Sequence, residues 1–498
     1  MTRLLALPVA LGLAALAVGR QPAAPAGTGY ISTADLGGRC LGCHGGPNQF
    51  NQDRTAFVLL SESVYWNGHD LHRRAFDALT SDLGRRIGER LPGQPDVSTL
   101  PACLVCHATD HRPGAPLADA DPTRFGCELG VNCQACHGPG EGYVGLHQKG
   151  DWRRMPPADK RAVGLADLRD PAVRADTCVS CHVGSVREHK FVTHAMFAAG
   201  HPPLPAFELA TFSRDEPRHW RSAKDVTAIA DLPTEAERLR FSYRKGEVEA
   251  ARLAAVGAVT ALRETAKLAA AAPPGPLDFA HFNCAACHHE LVVPSDRQQN
   301  GFPGAAGRPV PTTWPVWAVR AVLRQPSATG EAAGFESAYA AWRQAFDAAP
   351  FGDRTRMATA AGGLEAACAG VLKQLDAARF DEPAARQLVT GLIEEAGSPT
   401  GRRDYLDVDA AGVLARAATA IGEELTGSPK LGPTPAVPGE FAGPLHRLVG
   451  LGVREAGDNR SLLQDRGTYA GRAKRAFDFR VADFRRAFGG GLDRSPKR

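Results

Sequence analysis

Five times in this chain two cysteines stand three residues apart with a histidine directly after the second. The frames are "CLGCH" (Cys40, Cys43, His44), "CLVCH" (Cys103, Cys106, His107), "CQACH" (Cys133, Cys136, His137), "CVSCH" (Cys178, Cys181, His182) and "CAACH" (Cys284, Cys287, His288). Thiols at this spacing lie on one side of a helical turn and can bond to the two vinyl groups of a single porphyrin. The next residue then offers its imidazole to the iron from the same side, which is the attachment frame of c-type haem. Zinc ribbons also use paired cysteines, and an exported chain can form disulfides, but neither requires the adjacent histidine. The expectation is five covalent haems, each with its iron on a frame histidine. Of twelve cysteines only Cys127 and Cys368 fall outside the frames. They could pair, but buried single thiols are the simpler reading.

A frame histidine fills one axial position of the iron, and the other decides what the haem can do. A second imidazole suits electron transfer, whereas an open position permits ligand binding or catalysis. Sixteen histidines leave eleven candidates, all but His446 lying among the frames or just after the last one. Four have informative surroundings. His147 follows the Gly-rich "GPGEGYVG"; His72 heads "HRRAFDAL", with Phe76 and Leu79 on a common apolar face; His194 and His201 bracket "HAMFAAGH". Seven helical residues rise ~10.5 Å and return to the same face. Pro202 disfavours helix at His201, which is expected to cap that segment. A fifth ligand is sought among His219 in "EPRHW", placed first, and His111, His69, His189 and His281; His289 points away beside a frame histidine. If none serves, one haem stays five-coordinate.

"CQACHGPGEGYVGLH" resembles the C-x-x-C-H-G-P…H segment of multihaem cytochromes of the c-554 type, grouped with the hydroxylamine oxidoreductases. "HRRAFDAL", "VTHAMFAAGHPPLPAFEL", "PRHW" and "FNCAACHHEL" extend the likeness over about residues 38–320. It implies haems packed in close pairs, with His72, His147, His194 and His201 as distal ligands. The chain departs from the tetrahaem members in having a fifth frame and a long spacer between Cys181 and Cys284. No frame reads CxxCK, so the lysine-ligated catalytic haem of pentahaem nitrite reductases has no counterpart. No tyrosine crosslinked to a catalytic haem can be picked out among seven.

The fold expected is mainly α: a loop-rich multihaem domain with packed haems, plus a C-terminal helical domain. Residues 27–325 form the first, with a helical insertion at about 225–272, and residues 326–426 the second. A Pro-rich linker and tail occupy 427–498. The first four frames lie in so loop-rich a stretch that porphyrins must serve as its apolar filling, and it should not fold without them. Residues 244–270 are Ala-rich with Val256, Val259, Leu262 and Ala266 at helical spacing, and "AAPPGP" ends the run. Phe335, Tyr339, Trp342 and Phe346 make one stripe, read as bundle core, and further helices are expected over 355–378, 383–396 and 404–425.

The first 26 residues read as a cleaved export signal, with Arg3 before an apolar run too short to span a bilayer. No later stretch could cross one, so the mature chain is expected to be periplasmic. The formal charge is +4, but five ferric haems with their propionates would bring it to about −1, which removes nucleic acid as a partner. Single-electron transfer between periplasmic or membrane-bound redox partners is the leading function. An oxidoreductase acting on a small nitrogen or sulfur compound at an open haem is the alternative, and capture of a diatomic such as NO there is a third. No catalytic residue is assigned.

Overall fold

The computed structural model describes residues 29–31, 33–46, 57–93, 96–109, 127–271, 277–289, 291–295, 307–397, 404–426 and 484. The expected export signal, His111, His446 and the stretch 427–483 lie outside them. Among the described residues the chain is mainly helical, with no strand and only two isolated bridges, Ser185 with Lys190 and Phe282 with Pro311.

The elements that matter to the frames are α1 (Glu62–His69), α2 (Ala75–Thr80), α3 (Asp82–Arg90), α4 (Pro101–His107), α5 (Cys133–His137), α6 (Pro171–His182), α7 (His194–Ala199) and α8 (Leu209–Asp215). A long α9 (Glu249–Ala271) follows, then α10 (Trp314–Leu323), α11 (Ala332–Asp347), α12 (Arg354–Ala377), α13 (Glu382–Gly397) and α14 (Val408–Leu425). The helix expected over 244–270 thus starts at Glu249, and the three expected after residue 355 are α12, α13 and α14.

Two apolar clusters differ greatly in size. The smaller gathers Leu79, Ile87, Leu104 and Ala199 from α2, α3, α4 and α7, with Val97, Ala108 and Cys127 from the connecting segments. The larger runs from Ala175 in α6 through α8 to α14 and crosses residue 325 without a break. At its centre α9 packs against α6, α8, α10, α12 and α14. Its composition explains this. Alanine, glycine and valine leave little side-chain bulk on any face, so five helices can approach one axis closely. Gly257 is the tightest point: a Cβ there would stand 2.5 Å from Cβ of Leu209 in α8.

The stripe of Phe335, Tyr339, Trp342 and Phe346 is fully buried in this core. Beside it Arg320 Nη1 donates to Asp404 Oδ2 at 2.6 Å, Arg320 Nε donates to Glu336 at 2.7 Å, and the Tyr339 hydroxyl donates to the other Asp404 oxygen. Burial costs charges dearly, so a carboxylate as enclosed as Asp404 needs such partners. Cys127 and Cys368 are both buried and sit in different clusters, in keeping with single thiols rather than a pair.

Candidate haem-binding site

Local sequence explains how three of the frames are presented. In α6 the Asp170 side chain accepts from the Ala172 N–H and Pro171 opens the first turn, so "CVSCH" forms the last turn of a twelve-residue helix. Because α6 packs on α9, the fourth frame is mounted directly on the large core. Pro171 has its counterpart in Pro101, which opens α4 and leads to the second frame. In α5 Asn132 caps by accepting from the Gln134 N–H. Gln134 is buried, donates to the Ile31 carbonyl at 2.9 Å and accepts from the Ile31 and Gly140 amides. The chain leaves the third frame through Gly138, at φ +83°, where a Cβ would stand 2.2 Å from the Gly164 carbonyl oxygen. The "HGPG" of that segment is therefore a steric requirement.

The tertiary structure then sets one further histidine against each of the five frame histidines. The ring centroids are 6.2 Å apart for His44 and His147, and 6.2 Å for His182 and His72. They are 6.4 Å for His107 and His201, 6.4 Å for His137 and His219, and 6.5 Å for His288 and His194. Rings in direct contact stand closer, as Phe191 does to His281 at 4.4 Å. Two metal–nitrogen bonds of about 2 Å with two ring radii of roughly 1 Å add to about 6 Å. The gaps therefore fit an iron between the rings, and the paired thiols beside them fit its porphyrin.

His194 opens α7 and His201 follows Gly200, whose φ of +119° ends the helix at Ala199. Gly200, not His201, is thus the cap, and the two imidazoles go to different frames. His219 sits beyond α8 with Trp220 against its ring. Of the alternatives to it, His281 is buried and stacked on Phe191, and burial lowers its pKa to about 4. It reads as a core side chain.

Hydrogen bonds select the imidazole tautomer. Nδ1 donates to the carbonyl of Ala75 from His107 at 2.7 Å, of Tyr143 from His147 at 3.2 Å, of Pro202 from His201 at 2.8 Å and of Pro217 from His219 at 3.0 Å. A proton fixed on Nδ1 leaves the Nε2 lone pair for a metal. Burial also keeps several rings neutral. It lowers the pKa of His182 to about 3, with His72 adding to the effect, and that of His137 and His201 to about 4, where the facing imidazoles oppose a second charge.

Two of these histidines have carboxylate partners, which the sequence reading did not identify. His44 Nδ1 lies 2.9 Å from Glu62 Oε2. His72 Nδ1 lies 3.0 Å from Asp70 Oδ1 and 3.4 Å from Glu216 Oε2. Burial works against a charged His72, yet the two carboxylates outweigh it and hold its pKa well above the usual range. Asp70 precedes His72 by two residues and Glu216 precedes His219 by three. Proximity along the chain hinted at both acids but not that both would serve His72.

Neighbouring frames can be traced through their side chains. Cys133 and His137 of the third frame feel Cys40 and His44 of the first. Cys136 feels Cys178 of the fourth, as α5 meets α6. Cys181 of the fourth in turn feels Cys106 of the second. His201 and His194, at the two ends of one short segment, face the second and fifth. The first, third, fourth and second frames thus neighbour one another in that order, and the His194–His201 segment leads from the second to the fifth.

Residues 39–138 match the family described as cytochrome c554 and c-prime. This part of the chain, which holds the first three frames, is similar to c-type cytochromes, and covalent haem, iron and haem-based electron transfer go with that likeness. No curated protein and no solved structure matches the chain. Among the described residues no helix is long and apolar enough to cross a membrane.

Proposed function

We propose that this is an exported five-haem cytochrome, related to the c-554 and hydroxylamine-oxidoreductase group, that passes single electrons between periplasmic or membrane-bound redox proteins. The observation that carries it is the one-to-one pairing of five frame histidines with five others at 6.2–6.5 Å. When bound, haem supplies a one-electron iron couple. In this reading the ten frame cysteines form the thioethers, and His44, His107, His137, His182 and His288 are the proximal ligands. His147, His201, His219, His72 and His194 are, in that order, their distal ligands. Two imidazoles fixed by the fold hold an iron's surroundings alike in both oxidation states, which keeps the rearrangement per electron small.

The large core gives the fourth frame a rigid mount through α6, while the second frame has only the small cluster beside it and depends on porphyrin for further filling. Cys43 of the first frame and Cys284 and Cys287 of the fifth are exposed, whereas the cysteines of the three middle frames are partly covered. The order of the frames therefore runs from one accessible end to another, as entry and exit of electrons require. A reading as an oxidoreductase or a diatomic trap needs an iron that no second imidazole ligates, and the similar spacing of all five pairs favours the carrier.

The deciding experiment is electron paramagnetic resonance of the ferric holoprotein, calibrated against total haem. Five low-spin haems per chain are expected. A stoichiometric high-spin signal would overturn the carrier reading in favour of an open iron.

A further inference from the structure

Four imidazoles of the site give their Nδ1 proton to neutral backbone carbonyls, and His44 gives its proton to a single carboxylate, Glu62. His72 is different, because two carboxylates converge on its Nδ1. They arrive by independent routes. Asp70 is buried and is fixed locally, its Oδ1 accepting the His72 backbone N–H at 2.8 Å. Glu216 ends α8, whose buried Leu209 and Ala210 belong to the large core that holds α6. The two acids are thus held against the imidazole from opposite parts of the fold.

On the far side two phenylalanines flank the His182 ring. The His182 ring lies 5.8 Å from Phe207 and 5.0 Å from Phe212, centroid to centroid. An iron between His182 and His72 carries one more positive charge when oxidised than when reduced. Apolar walls disfavour that extra charge, and carboxylates bound to a ligand's N–H favour it by pushing electron density toward the metal.

We propose that Asp70 and Glu216 are potential-setting residues for the fourth frame, supplying through His72 the negative charge that offsets its apolar enclosure. The proposal rests on reading His182 and His72 as an axial pair. It makes the fourth frame, third of five in spatial order, the one whose reduction potential the protein lowers by side-chain charge from two elements.

The test uses the full holoprotein with five attached haems, verified by intact mass. Asp70→Asn, Glu216→Gln and the double variant are titrated by spectroelectrochemistry, with low-spin haem counted by paramagnetic resonance. The fourth-frame step is assigned as the one altered in His72→Ala. That step is expected to move to higher potential in each single variant and further in the double, while the other four stay in place and all five haems remain low-spin. Glu216→Asp, which keeps the charge, is expected to move it less than Glu216→Gln. Glu216 closes α8 at its partly exposed end, so its variants report even if Asp70→Asn fails to fold. A fourth-frame step unmoved by Glu216→Gln and by the double variant, with five low-spin haems retained, overturns the proposal. A high-spin fourth haem in the unaltered protein would instead overturn the axial pair itself, before any variant is compared.

Discussion

His137 and His219 stand ring to ring with centroids 6.4 Å apart, although α6, α7 and α8 all intervene along the chain. His219 is held there by its own Nδ1–H bond to the Pro217 carbonyl and by the indole of Trp220. His219→Ala is expected to turn one of the five haems high-spin while all remain covalently attached. Visible and paramagnetic-resonance spectra of the purified variant check this, and an unaltered spectrum would return the fifth ligand to the other histidines.

His147→Ala is expected to act in the same way on a different haem, the one at the first frame. Combined with His219→Ala it should give two high-spin haems per chain, because the two imidazoles face different frames. Titration with cyanide, which binds open ferric haem, counts them independently.

The core around α9 gives a prediction on stability. A side chain at position 257 meets Leu209 across the α8–α9 contact, so Gly257→Val is expected to cost about 1–3 kcal/mol through forced displacement. Leu209→Gly, which removes that Cβ, should relieve part of the clash, making the double variant more stable than the two single losses add up to. Denaturant unfolding followed by far-ultraviolet circular dichroism measures both.

Asp404 offers a sharper loss. Its carboxylate is fully enclosed and holds Arg320 and Tyr339. Asp404→Ala leaves the Arg320 guanidinium short of a partner in the core, a change worth about 3–5 kcal/mol. A thermal melt should show the fall, while the haem spectrum stays unchanged in the folded protein.

Removal of haem should divide the chain by the size of its cores. With the frame cysteines replaced by serine, the segments around α1 to α5 are expected to lose amide protection, since the small cluster supports only α2 to α4 among them and the large one none. Helices α9 to α14 should keep theirs. Hydrogen exchange resolved by mass spectrometry distinguishes this from uniform loss, which would mean that the large core too depends on haem.

The chemistry was legible in the sequence because it is encoded locally. Two thiols and an imidazole within five residues name their cofactor wherever they fold, and the helical period of Val256, Val259 and Leu262, or of Phe335, Tyr339 and Trp342, announces its buried face. The caps Asp170, Asn132 and Gly200 are local features too, but they emerged only with the structure, which puts Gly200 where His201 was expected to cap. Which histidine faces which frame is not a local property. His194 and His201 lie in one short segment yet serve the fifth and second frames, because a single left-handed glycine turns the chain between them. Glu216 reaches His72 rather than its near neighbour His219, because α8 is fixed by the large core and not by its own sequence. The list of chemical groups was therefore determined by the sequence alone. Their pairing, the order of the frames and the charge placed behind each imidazole were decided by tertiary packing, which brings together residues that the chain keeps far apart.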